Sequence, residues 1–86
     1  MEIFYSPKFA KQYRKLSLEI QREADKREIK FRKDPFAESL KTHKLRGRLE
    51  GFYSFSISYK HRVIFDFHDK KTIIFHLIGD HDIYDI

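Results

Sequence analysis

The sequence predicts an α+β domain, an antiparallel sheet of about four strands with two N-terminal helices packed on one of its faces. Three observations carry this. Two serines, Ser6 and Ser17, each stand just before a run of apolar residues at helical spacing. After Asp34-Pro35 the apolar period changes to two. Only two prolines and three glycines punctuate 86 residues, so the elements must be joined by short turns.

The elements follow in order. Glu2 to Tyr5 is short, apolar and aromatic, and suits a first strand. Ser6-Pro7 then supplies an N-cap and a proline at the first helical position. Phe9, Tyr13 and Leu16 carry the first helix to about Leu16. Ser17 caps a second helix from Leu18 to about Lys33, with Ile20, Ala24 and Phe31 on one stripe. Asp34-Pro35 ends it, because the residue before a proline is biased out of the helical region.

From Lys44 to Gly51 the chain is a turn-rich lead-in with room for a short strand. Phe52 to Tyr59 alternates, placing Tyr53, Phe55, Ile57 and Tyr59 on one face and Ser54, Ser56 and Ser58 on the other. Arg62 to His68 alternates again, with Val63, Phe65 and Phe67 inward and Arg62, Ile64, Asp66 and His68 outward. A polar turn at 68–71 leads to a last strand, Thr72 to Ile78, with Ile73, Phe75 and Leu77 inward. Gly79 ends it, and Asp80 to Ile86 forms a short tail with about one helical turn. Expected core residues are Phe9, Tyr13, Ile20, Phe55, Val63, Phe65, Ile73 and Phe75.

Length and composition bound the function. Residues 1–86 form a single domain with a small core. The absence of cysteine excludes disulfide scaffolds, thiolate catalysis and cysteine-ligated zinc. With no apolar run near ~18 residues and no signal-peptide pattern at Met1-Glu2-Ile3-Phe4, the expected setting is soluble and cytoplasmic. Residues 1–48 hold fourteen basic and seven acidic side chains, a net +7, whereas residues 49–86 carry a net −2. The basic half faces either solvent, a polyanion or an acidic protein.

Five histidines, His43, His61, His68, His76 and His81, are ligands or proton carriers in principle. No pair has the i, i+4 spacing of a helical metal site, and Asp80-His81-Asp82 is too contiguous to converge on one ion, so neither metal nor cofactor is expected. The aromatic string from Phe52 to Ile57 invites comparison with sheets that stack RNA bases. With both helices ahead of the meander, these aromatics read instead as core.

Several segments carry a resemblance when taken together. Tyr5-Ser6-Pro7-Lys8-Phe9, Leu45-Arg46-Gly47 with Leu49-Glu50-Gly51-Phe52-Tyr53-Ser54, His61-Arg62-Val63-Ile64-Phe65, and Ile78-Gly79-Asp80-His81-Asp82-Ile83-Tyr84 look like the RelE/ParE superfamily of toxins from toxin–antitoxin pairs. The likeness covers nearly the whole chain in order and is greatest to the RelE, YoeB and YafQ branches, whose members cleave messenger RNA. It implies the same β-α-α-β-β-β fold, a cognate antitoxin, and mRNA, commonly on the ribosome, as target.

Metal-free RNA cleavage needs a base for the 2′-hydroxyl, positive charge on the phosphate and an acid for the leaving 5′-oxygen. By position in the family pattern His43 matches the base, Arg62 the phosphate-binding arginine and His81 the acid. Tyr84 either stacks on a base or pins the tail. Lys41, Lys44, Arg46, Arg48, Lys60 and His61 are the expected RNA contacts. The lysines of the RelE branch proper are replaced by Ser54 and Ser56, which leaves a His/Arg set. The alternatives are a ParE-like gyrase inhibitor and a binding module without activity. An enzyme acting on small molecules lacks a phosphate loop, nucleophile elbow or paired carboxylates.

Overall fold

A computed structural model describes residues 1–85. Strand β1 (Glu2–Tyr5) is followed by helices α1 (Pro7–Lys15) and α2 (Leu18–Lys33), then by β2 (His43–Lys44), β3 (Tyr53–Ser56), β4 (Arg62–Phe67) and β5 (Thr72–Gly79). Short 3-10 turns occupy Glu38–Leu40, Gly47–Leu49 and His81–Asp85. Ile86, the last residue of the expected tail, lies outside the described residues.

The fold class is the expected one, and the sheet is larger and mixed. It has five strands in the order β1-β5-β4-β3-β2. Strand β1 pairs parallel with β5, and the other three pairings are antiparallel. A parallel partner needs a long crossover, which the intervening helices and meander supply. Lys44, the first residue of the lead-in, and His43 before it form the fifth strand. The strand expected to reach Tyr59 stops at Ser56. There Ile57 and Ser58 both turn their N–H groups to the carbonyl of His61, and Tyr59 swings into solvent.

Both caps form as the serines indicate. The Ser6 hydroxyl accepts from the Phe9 N–H at 2.9 Å and donates to the His76 carbonyl at 2.8 Å, so the cap of α1 is also tied to β5. The Ser17 hydroxyl accepts from the Ile20 N–H at 3.2 Å. Gln12 on α1 accepts from the Ile78 N–H at 2.9 Å, and Gln21 on α2 donates to the Tyr13 carbonyl at 2.9 Å. These bonds fix the helical hairpin on the sheet.

Phe31 of α2 is wholly buried and fills the centre of the core. Its ring stacks on Phe55 at 4.9 Å between centroids and meets Phe65 and Phe75 edge-on at 5.0 and 5.3 Å. One helical side chain thus contacts three neighbouring strands. Tyr13 and Ile20, expected in the core, are half-buried at its margin.

Leu77 departs from simple alternation, and Ile64 keeps its expected face but not its exposure. Ile64, expected outward, is buried in a second small cluster with Leu77 and Ile83. Leu77, expected to face the helices, faces this second cluster, and Ile78 takes the helix side. The cause is a bulge: Ile64 pairs with Leu77 but Phe65 pairs with Phe75, leaving His76 as the extra residue in β5. One inserted residue reverses the facing of everything after it.

Phe31→Ala should cost about 3–5 kcal/mol, the usual range for emptying an aromatic core site. Urea unfolding followed by near-ultraviolet circular dichroism would check this. Burial, and then the hydrogen bond it donates to the Asp25 carboxylate, push the Tyr13 hydroxyl pKa up to about 12 from 10.0. A neutral tyrosine is thus favoured in the folded chain. Its contribution is complete below pH 10, and should be lost as pH rises from 10 through about 12 in an alkaline titration of stability, but not in Tyr13→Phe.

Candidate functional site

The sheet face opposite the helices carries the candidate residues in two adjoining cross-strand rows. His43, Ser54, Ile64 and Leu77 form one row across β2, β3, β4 and β5. Ser56, Arg62 and Gly79 form the next. From strand spacing and rise, the Cα atoms of His43 and Arg62 are about 12 Å apart, with both side chains on this face. His81 follows Gly79 by two residues and opens the terminal 3-10 turn beside the Arg62 row.

Each of the three is held differently. His43 is exposed on the edge strand, with its Nδ1 3.0 Å from the Lys41 carbonyl. Lys41 itself takes a left-handed conformation, φ 53°, to close the preceding 3-10 turn. The Nη1 of Arg62 donates to the carbonyls of Ser58, His61 and Tyr59 at 2.7, 3.0 and 3.2 Å. One nitrogen of the guanidinium therefore braces the β3–β4 loop, and the rest of the fork has no partner among the described residues. His81 is exposed on a turn secured by Asp80, whose carboxylate accepts from the Asp82 N–H at 3.1 Å and whose carbonyl accepts from the Ile83 N–H at 3.2 Å.

Tyr84 does pin the tail. Its hydroxyl lies 2.9 Å from the Ser54 hydroxyl, and its ring packs on the Ile64, Leu77 and Ile83 cluster together with Leu45, Leu49 and Phe52. Ser54, met in the sequence as a missing lysine, is wholly buried as the anchor of this bond. Gly79 is needed for close approach: a Cβ there would lie 2.7 Å from Cγ2 of buried Ile83. The tail is only modestly fastened. Burying one isoleucine is worth roughly 1.5–3 kcal/mol and a neutral hydrogen bond about 1. Ordering each residue costs about 1–2 kcal/mol.

The basic residues divide. Arg46 and His43 line an open depression of about 670 Å³ at the β2–β3 edge, along with Phe52 and Tyr53. Arg48 lies in the next 3-10 turn and Lys60 in the loop before Arg62. His61 is engaged with Ser58, its Nδ1 3.0 Å from that hydroxyl. Lys44 also lines the depression, but it stands opposite Tyr53 in the register and so belongs to the helix-bearing face.

Sequence reasoning missed the anchors Ser54 and Gly79 and the pair His76–Asp66, whose Nε2 and Oδ1 are 3.1 Å apart. The pairing depends on the bulge and has no signature in spacing. Among the described residues no three His, Asp or Glu side chains gather as metal ligands, and no helix is long and apolar enough to cross a membrane.

No family model and no curated protein matches the sequence. Solved structures do match in fold. A YoeB/ParE toxin from Agrobacterium tumefaciens superposes with a TM-score of 0.80 at 16% identity, covering 94% of this chain and 99% of the other. A YafQ mutant from E. coli gives 0.71 at 18% identity, with 96% of each chain covered. The YoeB–YefM complex from Staphylococcus aureus gives 0.76 at 20% identity, covering 94% of this chain and 97% of the other. The chain has the fold of these toxins over nearly its whole length.

Gly79→Ala should lift Ile83 and free the tail while leaving the sheet intact. Hydrogen exchange would show this as lost protection at the Ile83 amide with Phe65 unchanged. Tyr84→Phe should destabilise docking by about 1–3 kcal/mol, since it leaves the Ser54 hydroxyl buried without its partner.

Proposed function

We propose that this chain is the toxin of a toxin–antitoxin pair and acts as a metal-independent endoribonuclease on messenger RNA, on the ribosome, in the cytoplasm. The observation that supports the reading is that His43 and Arg62 share one sheet face, with His81 in the turn two residues after Gly79, the register partner of Arg62, in a chain with the fold of the YoeB/ParE and YafQ toxins.

The reaction follows from the residue types. His43 takes the proton of the 2′-hydroxyl, and the oxygen attacks the adjacent phosphorus. The free edge of the Arg62 guanidinium neutralises the phosphoryl oxygens as the O2′–P bond forms and the P–O5′ bond breaks. His81 gives its proton to the departing 5′-oxygen. The products are a 2′,3′-cyclic phosphate and a 5′-hydroxyl, with no water or metal consumed. Tyr84 acts through the tail, by positioning His81. Lys41, Arg46, Arg48, Lys60 and His61 hold the flanking phosphates, which makes affinity fall with salt.

The antitoxin is proposed on two grounds. One is the +7 excess on residues 1–48, which suits an acidic, partly disordered partner segment. The other is a cavity of about 320 Å³ between α1, α2 and the sheet, where Phe9, Tyr13 and Phe75 offer an apolar seat, lined also by Arg14, Asp25 and Glu28. The YoeB–YefM complex has the same fold in its toxin chain.

Inducing the chain in bacteria should stop growth with messages cut. Arg62→Lys keeps a donor for the loop carbonyls but loses the fork, so it should remain folded and lose at least about tenfold in cleavage. His81→Ala should relieve toxicity with its melting temperature unchanged. Toxicity with intact messages and damaged DNA would instead support gyrase inhibition. Co-expression with the adjacent reading frame should recover the two proteins as one complex from a tag on either.

A further inference from the structure

On the helix-bearing face, at the edge away from β1, three aromatic rings form a cluster open to solvent. Phe36 is 57% exposed and Phe67 37% exposed, and Tyr53 is half-buried between them and the core. Phe36 and Phe67 stack at 5.9 Å with an interplanar angle of 16°. Tyr53 meets Phe36 edge-on at 6.1 Å and Phe67 edge-on at 5.0 Å. The core does not require the two outer rings: Phe31, Phe55, Phe65 and Phe75 close it without them. A contiguous exposed aromatic patch on so small a chain marks a contact surface.

Charge and continuity decide what it contacts. Lys44 stands opposite Tyr53 in the β2–β3 register, so the one expected phosphate contact absent from the catalytic face is beside these rings. Lys33 ends the helix that leads into Asp34-Pro35-Phe36, whereas Arg32 beside it is paired with Glu28. The depression lined by His43 and Arg46 is also lined by Lys44 and Tyr53, so it joins the two faces around the two-residue strand β2. Aromatic faces interleaved with cations are the arrangement that holds single-stranded nucleic acid, since every base has a π-face.

We propose that Phe36, Tyr53 and Phe67, with Lys44, form a stacking platform for unpaired bases flanking the cleavage site. The RNA strand runs from the His43–Arg62 face around β2 onto the aromatic cluster. This rests on the ribonuclease reading and extends it: substrate is single-stranded over more nucleotides than the catalytic face alone contacts. Binding there is tolerant of base identity, because stacking rather than edge hydrogen bonding holds the bases.

The test uses 2′-O-methyl RNA, which lacks the attacking hydroxyl and stays intact on the native chain. A single strand of about twelve nucleotides, inside the ~4–16 nucleotide range of stacking sites, is titrated beside a trinucleotide. Phe36→Ala with Phe67→Ala should weaken the longer strand about tenfold or more and leave the trinucleotide unchanged. Phe36→Trp should retain the longer strand. A 5-bromouridine strand should photo-cross-link to Phe36, Tyr53 or Lys44 in the unaltered chain, which decides the matter even where the double variant fails to fold. Affinity of the double variant for the longer strand equal to that of the native chain, or cross-links confined to the His43–Arg62 face, would overturn the platform and leave the ribonuclease standing. A chain that neither binds nor cuts RNA would overturn both. Self-association abolished by the double variant would assign the surface to protein contact and overturn the platform.

Discussion

The extra residue at His76 is the constraint on which the two-sided sheet depends. Before it, β5 turns Ile73 and Phe75 to the helices; after it, Ile78 faces the helices and Leu77 faces the tail. Strict alternation would have placed Leu77 in the helix-side core and left Ile64 without its neighbour. With the bulge, Ile64, Leu77 and Ile83 close a second, smaller core on the far side. That core is what brings the tail, and His81 with it, onto the face that holds Arg62. The carbonyl of the bulged residue is also used, as acceptor for the Ser6 cap of α1. One irregularity in β5 thus registers the first helix and the last turn against the same strand.

The two sides of the sheet are unequal in strength. On the helix side Phe31 locks three strands through ring contacts, and the helices are tied by Gln12 and Gln21. On the other side the tail rests on Ile83, the Tyr84–Ser54 hydroxyl pair and the space left by Gly79. The ordering entropy of those residues is of the same size as the contacts that hold them. His81, the proposed proton donor, is therefore carried on a lightly secured part of the fold, while Arg62 sits on a central strand with its loop braced. This is the arrangement expected where a partner controls activity by moving one group and leaving the frame alone.

Most of the fold was legible because its signals are local. Ser6-Pro7, Ser17 and Asp34-Pro35 mark the helix ends through capping and backbone sterics, and α2 runs from Leu18 to Lys33 as read. The fifth strand was legible only as room for a short strand near Lys44, since two residues give no period and pairing with β3 alone defines them. Leu77 was misplaced because a bulge is invisible to alternation, and Ile64, on its expected face, is buried because the tail covers it. At the site, the family pattern singled out Arg62 and His81, and the register pairs Arg62 with Gly79, two residues before His81. The roles of Ser54 and Gly79 were hidden for the opposite reason. Each is a small residue whose meaning is the contact it permits, with Tyr84 and Ile83 respectively. Lys44 looked like one more basic residue of a turn, and only its pairing with Tyr53 separates it from His43.

The central claim is that one sheet face performs phosphoryl transfer with side chains alone. The chemistry of the cut ends tests it most directly. Messenger RNA, free and on programmed ribosomes, is incubated with the purified chain, and the termini of the fragments are determined by mass spectrometry. The account predicts a 2′,3′-cyclic phosphate on one fragment and a 5′-hydroxyl on the other, and no cleavage of a strand carrying 2′-deoxy sugar at the cut position. Fragments ending in a 3′-hydroxyl and a 5′-phosphate, or equal cleavage of the 2′-deoxy strand, would contradict it.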